Sequence, residues 1–525
     1  MQDADLTLEA LATLPPDIAS SPLFSGDLAP VPEKRRTWTT YNFAALWVSM
    51  AHCIPVYSMA GGFLALGMSW KEALLTITVG SVIVLVPILL NAHPGTRYGI
   101  PFPVLARASF GTVGANVPAI LRALVACGWF GIQTYFGGEA VKTFIGAIWP
   151  DYLTLGGDLT LLGLPLSSAI TFMLFWSLNI VIIFIGMNAV RVFENWAAPL
   201  VLVLALGLLW WTVSRAGGLG PMMSQPSQFE TFGAFWAVFA PALTGVVGFW
   251  STLSLNIPDF TRYGRGQREQ LIGQTLGLPP TMVIFSAMGV VITSAAQAIL
   301  VGAKPDELWK PEFILAQMTS STPPVGLEAP LIASEGTRLL VAIIALLGVG
   351  IATVSVNIAA NVVSPANDFA HLAPRHISFK IGGLITGVLG IVMMPWKLLA
   401  SPTAYIFNWL GGVGSLMGPI AGVMIADYWV LRRCELDVPD LYRSNGRYGR
   451  FNVPALIALT LGILPNVPGF ITSVNGGVPK GQEPGFFDVI YPYAWFIGFA
   501  IGFGLYLALT MVMKPAAKTA TPAAS

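Results

Sequence analysis

Runs of predominantly apolar residues, about twenty long and so able to cross a bilayer core about 30 Å thick as a helix, recur twelve times along this 525-residue chain. They cover residues 43–67, 73–90, 117–145, 166–185, 196–214, 235–260, 276–301, 337–363, 381–395, 404–431, 455–471 and 493–513. Lipid gives the backbone no hydrogen-bond partners, so each run is expected to close its own bonds as an α-helix. With 55% hydrophobic and only 10% charged residues, the chain carries too much apolar surface for a soluble globular fold. The expected fold class is all-α and polytopic, with the lipid bilayer as its solvent.

Other classes fall away on charge and chemistry. A formal net charge of +1 without basic clusters leaves no electrostatic footprint for nucleic acid. Cys53, Cys127 and Cys434 lie in or beside apolar runs, with no CxxC pair and no histidine spacing for a metal. No disulfide, metal or cofactor is expected, and nothing calls for an obligate protein partner. An enzyme would need a nucleophile and base, or a metal cluster, near the membrane plane; four histidines outside HExxH spacing do not supply one. A passive channel stays open as an alternative to a coupled transporter.

Alternating assignment of the 27 Lys and Arg residues to the two sides, with Lys34, Arg35 and Arg36 inside, puts nineteen inside and eight outside. That asymmetry predicts a cell-membrane protein with both termini cytoplasmic. The expected organisation is a cytoplasmic tail over 1–41, a ten-helix core over 42–431, a cytoplasmic loop over 432–452, two further helices over 453–513 and a tail over 514–525. The first forty residues hold acidic residues, Pro and Ser instead of a basic stretch, apolar core and cleavage site, so they read as a retained segment.

Two spans read as broken. The first carries Pro55, Gly61 and Gly62 in mid-membrane, and the sixth carries Gly245 and Gly248 before Phe249-Trp250-Ser251-Thr252, then Asn256-Ile257-Pro258-Asp259. Breaks at matching positions of two five-helix halves point to an inverted repeat with a site at the midplane, although Gly and Pro are also common in ordinary membrane helices.

Candidate ligands gather near those breaks. Trp129 and Gln133 stand four residues apart and share one helix face, pairing an indole with a carboxamide. Trp250 could cover the other side of a flat ring, where stacking is worth roughly 1–3 kcal/mol. A carboxamide matches the alternating N–H and C=O edge of an imide or ureide. Ser355, Asn357 and Asn361 add polar groups in the eighth span; small polar residues equally serve as glue between helices, at about 0.6 kcal/mol per bond. No charged residue belongs to this set, and an unpaired charge in the membrane is costly, so a small neutral solute is expected. Glu139 lies six residues beyond Gln133, about 9 Å along the helix, and is a candidate for proton coupling, as is His52. Asp259 and Asp427 sit near Arg262 and Arg432, suited to pairing at helix ends.

Several motifs together resemble the nucleobase:cation symporter family 1: Gly26-Asp27-Leu28-Ala29-Pro30 with Arg36-Thr37-Trp38; the stretch Tyr98-Gly99-Ile100-Pro101-Phe102-Pro103 continuing to Arg107-Ala108-Ser109-Phe110-Gly111; Trp129 with Gln133; Asn256-Ile257-Pro258-Asp259-Phe260; and Asn357 to Asn361. The resemblance implies a LeuT-type 5+5 inverted repeat with two added helices, working by alternating access on a neutral heterocycle. It places Trp129 and Trp250 about the ring and Gln133 and Asn361 on its edge. Cys53 stands where relatives often carry Gln or Asn, so the substrate of the hydantoin and allantoin relatives does not carry over; the small wall it leaves points to uracil, with allantoin, hydantoin, cytosine and purines, and sodium coupling, as alternatives. The sodium site of the hydantoin relative would fall near Ser49, His52, Ala352, Ser355 and Val356. Val356 offers no side-chain oxygen, and hard cations require oxygen ligands, so proton coupling is expected over sodium.

Overall fold

The computed structural model describes residues 2–185, 187–479 and 481–513, with the side chains at 2–6, 187–201, 305, 306 and 359 outside the description. The tail expected over 514–525 therefore lies outside the described residues. A short helix, α1 (Gln2–Thr13), comes first, and the first span is divided into α2 (Thr40–Ala51) and α3 (Ile54–Ala65). Then follow α4 (Trp70–Tyr98), the short α5 (Phe102–Phe110), α6 (Asn116–Ile148), α7 (Leu166–Ile185) and α8 (Met187–Ala216). The second series is α9 (Phe232–Asn256), α10 (Pro258–Thr261), α11 (Gln267–Ile299), the loop helices α12 (Pro305–Leu308) and α13 (Pro311–Thr319), α14 (Glu335–Asn361), α15 (Val363–Leu372), α16 (Phe379–Val392) and α17 (Pro395–Leu398). The helix α18 (Gly411–Ile425) is extended by π-helical turns at Ala404–Leu410 and Ala426–Leu431. The chain ends in α19 (Val453–Ile463), α20 (Val467–Val474), α21 (Phe486–Ile490) and α22 (Ala494–Met513).

Each of the twelve expected segments falls on a helix of this series. Among the described residues nine helices are long and apolar enough to cross a membrane, or ten with α2 and α3 counted as one bent span; Leu202–Ala216 and Phe379–Val392 are shorter apolar helices.

Packing sorts the spans into two groups. In one, α2 and α3 lie against α11, and α4 against both α9 and α11; in the other, α6 packs on α7, α14, α15 and α16. With five spans per half, the first and second match the sixth and seventh, and the third and fourth match the eighth and ninth. Matched spans thus share a group, as an inverted repeat requires. The helix α18 seals against α9, with α19 and α22 packed behind it.

The two expected breaks behave differently. In the first span the chain bends by 57° between α2 and α3, at His52 and Cys53, so Pro55 starts the second piece and Gly61 and Gly62 lie inside it. Proline is well suited to that place, because the first turn of a helix needs no donor from it. The sixth span corrects the expectation: α9 is unbroken from Phe232 through Gly245 and Gly248 to Asn256. Its interruption comes only at its end, where Ile257 leads into α10. The glycines serve close approach instead. A Cβ at Gly248 would stand 2.2 Å from the carbonyl oxygen of Leu410, and one at Gly245 3.1 Å from the Ile406 side chain.

The segment expected as a simple tail is folded across one face of the bundle. Val31 donates its N–H to Gly99 O at 2.8 Å, Tyr442 donates its hydroxyl to Leu28 O at 2.6 Å, and Arg262 and Arg375 donate to Asp27 O and Ser20 O at 3.0 and 2.9 Å. Arg443 pairs with Asp17 at 2.8 Å. Residues 17–31 thus join the ends of both helix groups and the 432–452 loop. We call this the tail face.

Candidate substrate site

The bend in the first span exposes backbone and side chains beside the middle of α6, α9 and α14, and a cavity of about 30 Å³ forms there. That volume holds a water or two rather than an aromatic ring, so the site is tightly closed. Its wall contains Cys53 from the bend, Trp129 and Gln133 from α6, Trp250 from α9 and Asn361 from α14, with Met50, Pro55, Phe249, Thr252, Leu253, Val356 and Ala360. Five residues singled out from sequence are therefore brought to one enclosure.

Polar atoms at this wall are left without protein partners. Trp129 Nε1 and Gln133 Oε1 are buried and accept or donate no hydrogen bond to the described residues. Leaving a buried polar group unpaired costs about 1–3 kcal/mol, and a ligand carrying an acceptor and a donor on one edge would remove both penalties. Asn361 donates its Nδ2–H to Asn357 Oδ1 at 3.2 Å, an assignment set by the surrounding network, and its own Oδ1 is the atom left for a ligand N–H.

The aromatic arrangement departs from two facing indoles. Phe249 stands between them, with its ring centroid 4.8 Å from Trp129 and 4.8 Å from Trp250, edge to face in both cases. Trp250 donates its indole N–H to Met282 Sδ at 3.2 Å and meets Trp47 edge-on at 5.1 Å. Trp129 is further boxed by Trp409 at 5.8 Å and Tyr405 at 6.5 Å. Phe249, Trp409 and Tyr405 were not distinguished by sequence. An aromatic within an apolar run carries no mark separating a site wall from ordinary packing.

Asn357 takes a packing role. It is absent from the cavity wall, and its Nδ2 shares its two N–H among Asn179 Oδ1 at 3.2 Å, Thr134 Oγ1 at 3.3 Å and Phe130 O at 3.4 Å. It joins α14 to α6 and α7 and holds Asn361 through its own oxygen.

The coupling candidates lie outside this enclosure. His52 is buried at the bend, its ring edge-on to Phe285 at 4.2 Å and its Nε2 without a hydrogen-bond partner among the described residues. Ser49 is half-buried on α2 and Ser355 buried on α14, two helices in mutual contact. Ala352 lines a second, larger cavity of about 480 Å³. Glu139 is 16% exposed and lies 3.7 Å from Lys142, farther from the tail face.

Buried ionic links hold the tail-face ends. Arg122 and Asp368 pair at 3.0 Å with both side chains fully buried, tying α6 to α15. Asp427 accepts from Arg432 at 2.6 Å and from Tyr506 at 2.7 Å. Asp259 accepts the Phe102 N–H at 2.8 Å, while Arg262 turns to Asp27 O, so the expected neighbours have different partners. Sequence gave Asp368 no distinction from other residues near a helix end.

A bent first span and two matched helix groups describe a multi-pass membrane protein, and the family to which it belongs is one of transporters. A family profile described as permeases for cytosine and purines, uracil, thiamine and allantoin matches residues 30–498, and the chain belongs to that nucleobase–cation symporter family. It is 39% identical over 500 residues to an allantoin permease of Bacillus subtilis, covering 95% of each chain. It is 38% identical over 494 residues to a purine-uracil permease of Arabidopsis thaliana, covering 92% of this chain and 77% of that one. A uracil permease of Saccharomyces cerevisiae is 27% identical, covering 94% and 76%. Among solved structures, the inward-facing conformation of Mhp1 superposes with a TM-score of 0.70 at 24% identity, covering 93% and 94%. A closed Mhp1 with bromovinylhydantoin bound gives 0.69 at 24%, covering 94% and 97%. At that identity these two speak for the fold.

Proposed function

We propose that the protein imports a small, flat, neutral heterocycle with an imide or ureide edge, most readily uracil, by symport with protons. The observation that carries this reading is the pair of unpartnered buried atoms, Trp129 Nε1 and Gln133 Oε1, at the wall of one uncharged cavity. One needs an acceptor, the other a donor, and Asn361 Oδ1 adds a second acceptor. An anion or cation would enter with no counter-charge, which favours a neutral solute. Trp129, Gln133, Trp250, Asn361 and Cys53 are the proposed ligands, with Asn357 as support. Phe249 would swing aside to admit a ring between the two indoles.

The small Cys53 side chain supports uracil, as it places no third carboxamide on the ligand. Allantoin is the second reading, favoured by the 39% identity to an allantoin permease along nearly the full length of both chains. Proton coupling is supported by Val356, whose side chain has no oxygen beside Ser355. The tail face is proposed to be cytoplasmic in the cell membrane, since nineteen of 27 basic residues fall on that side of the alternating count.

Competition against labelled uracil uptake by unlabelled allantoin, cytosine, hydantoin, hypoxanthine and uridine tests the substrate. Uracil as the strongest competitor supports the first reading; allantoin displacing it at far lower concentration establishes the second. Replacing sodium by choline at fixed pH should leave uptake intact, and sodium dependence without proton dependence would overturn proton coupling.

A further inference from the structure

The larger cavity, about 480 Å³, lies in the half of the bundle away from the tail face, walled by α3, α6, α8, α11 and α14 and by the loop helix α13, with α12 packed against α13, α3 and α11. Its lining among the described residues is almost wholly apolar, and Glu312, in the first turn of α13, is the one carboxylic acid among them. Glu312 is half-buried as a whole, but its Oε2 is buried and has no hydrogen-bond partner among the described residues. An ionised carboxylate so placed is costly, whereas the protonated acid tolerates the same surroundings.

The loop carrying this carboxyl is also wired to the substrate enclosure. Three residues before Glu312, Trp309 is 1% exposed and stacks on Tyr405 with centroids 6.1 Å apart. Its Cα would be 3.0 Å from a Cβ at Gly61 of α3. Tyr405 donates its hydroxyl to Pro55 O at 3.1 Å and meets Trp129 edge-on. Movement of α12 and α13 therefore pulls on both the bent first span and the site wall.

We propose that Glu312 is a proton-binding site that latches this loop: protonated, it lets α12 and α13 stay packed over the cavity; ionised, it draws them out toward water. The proton comes from the outer solution and returns to it when the loop lifts, so the latch sets the pH range of transport without adding to its driving force. This rests on the transporter reading and its orientation, and is independent of which ion drives uptake.

The surroundings agree in sign. Burial pushes the Glu312 carboxyl up to about 7, its own backbone N–H and Lys310 oppose that rise, and Glu139 adds to it. The titratable groups facing it are Tyr57 of α3 and Tyr135 and Glu139 of α6, with Lys142 reaching Glu139. Glu307 of α12 caps its own helix through Lys304 N. Among the described residues, those of α8, α11 and α14 that line the cavity carry no ionisable group. A carboxyl whose pKa is raised by folding contributes stability at low pH that is lost as pH rises toward and through the folded value.

Two measurements test the latch with Glu312→Gln, a stand-in for the protonated acid, beside Glu139→Gln. In the first, wild-type melting temperature, relative to Glu312→Gln, should fall between pH 5 and pH 8; this requires no substrate. In the second, equilibrium exchange of labelled substrate in proteoliposomes should slow severalfold in wild type as outer pH rises through about 7, while Glu312→Gln loses that step, keeps only the pH dependence that the coupling ion imposes, and still accumulates substrate down the gradient of the coupling ion. Unchanged pH profiles in Glu312→Gln, or their loss in Glu139→Gln instead, would overturn the proposal. Exchange kept but gradient-driven accumulation lost would also overturn it, making Glu312 the driving carboxyl. No exchange of any heterocycle by wild type would sink the transport reading, while the melting comparison would still decide whether Glu312 binds the proton.

Discussion

Phe249 meets Trp129 edge to face, with ring centroids 4.8 Å apart and planes inclined at 62°. The phenyl ring occupies space beside the indole that a flat ligand would need, so the closed enclosure measures only about 30 Å³. Phe249→Ala is expected to widen it and admit larger bicyclic rings. Competition by hypoxanthine should strengthen about tenfold relative to uracil, about 1.4 kcal/mol of changed discrimination; an unaltered competition order would place Phe249 outside the path of the ligand.

Asn357 and Asn361 differ in role despite sharing a helix face. Asn357 shares its two amide N–H among three acceptors on α6 and α7, and at about 0.6 kcal/mol per bond its loss costs about 1 kcal/mol of stability. Asn357→Ala should lower the melting temperature of purified protein. Asn361→Ala should leave it nearly unchanged and raise KM. Equal melting losses in both would contradict the division.

Arg122 and Asp368 are fully buried partners at 3.0 Å. Removing one member of such a pair strands the other charge, at about 3–5 kcal/mol. Asp368→Ala is expected to cost most of the folded, detergent-stable yield, and Arg122→Met with Asp368→Leu together should restore part of it. A double variant no better than the single one would show that the pair does more than neutralise charge.

Gly248 lets α9 approach Leu410 so closely that an added Cβ would sit 2.2 Å from its carbonyl oxygen. Gly248→Ala should force α9 and the span containing α18 apart, and a destabilisation of about 1–3 kcal/mol follows from overpacking. Wild-type melting and transport in this variant would mean that the helices are free to separate at little cost.

Much of this architecture is legible in sequence because the bilayer imposes it: a run such as 166–185 must be a helix of that length, and α7 has those bounds. The bend at His52 and Cys53 is legible in the first span because Pro55, just after it, marks the start of the second piece. Gly245 and Gly248, by contrast, misled. A glycine that breaks a helix and one that admits a neighbouring backbone look alike until the neighbour is known. Trp129, Gln133 and Trp250 stood out through the pairing of indole and amide in an uncharged setting. Phe249, Glu312 and the folded segment 17–31 did not, because their significance depends on contacts from distant parts of the chain.

The central claim is that Trp129 and Gln133 hold the transported heterocycle directly. Equilibrium binding of labelled uracil to purified protein, with labelled allantoin in parallel, tests it most directly in wild type, Trp129→Ala and Gln133→Ala. Each substitution is expected to weaken the dissociation constant of the preferred ligand about tenfold or more, from roughly 1–3 kcal/mol of lost stacking or of an unpaired ligand edge, with melting temperature retained in Gln133→Ala and the protein still folded, at a lower melting temperature, in Trp129→Ala. Wild-type affinity for that ligand in both variants would contradict the account.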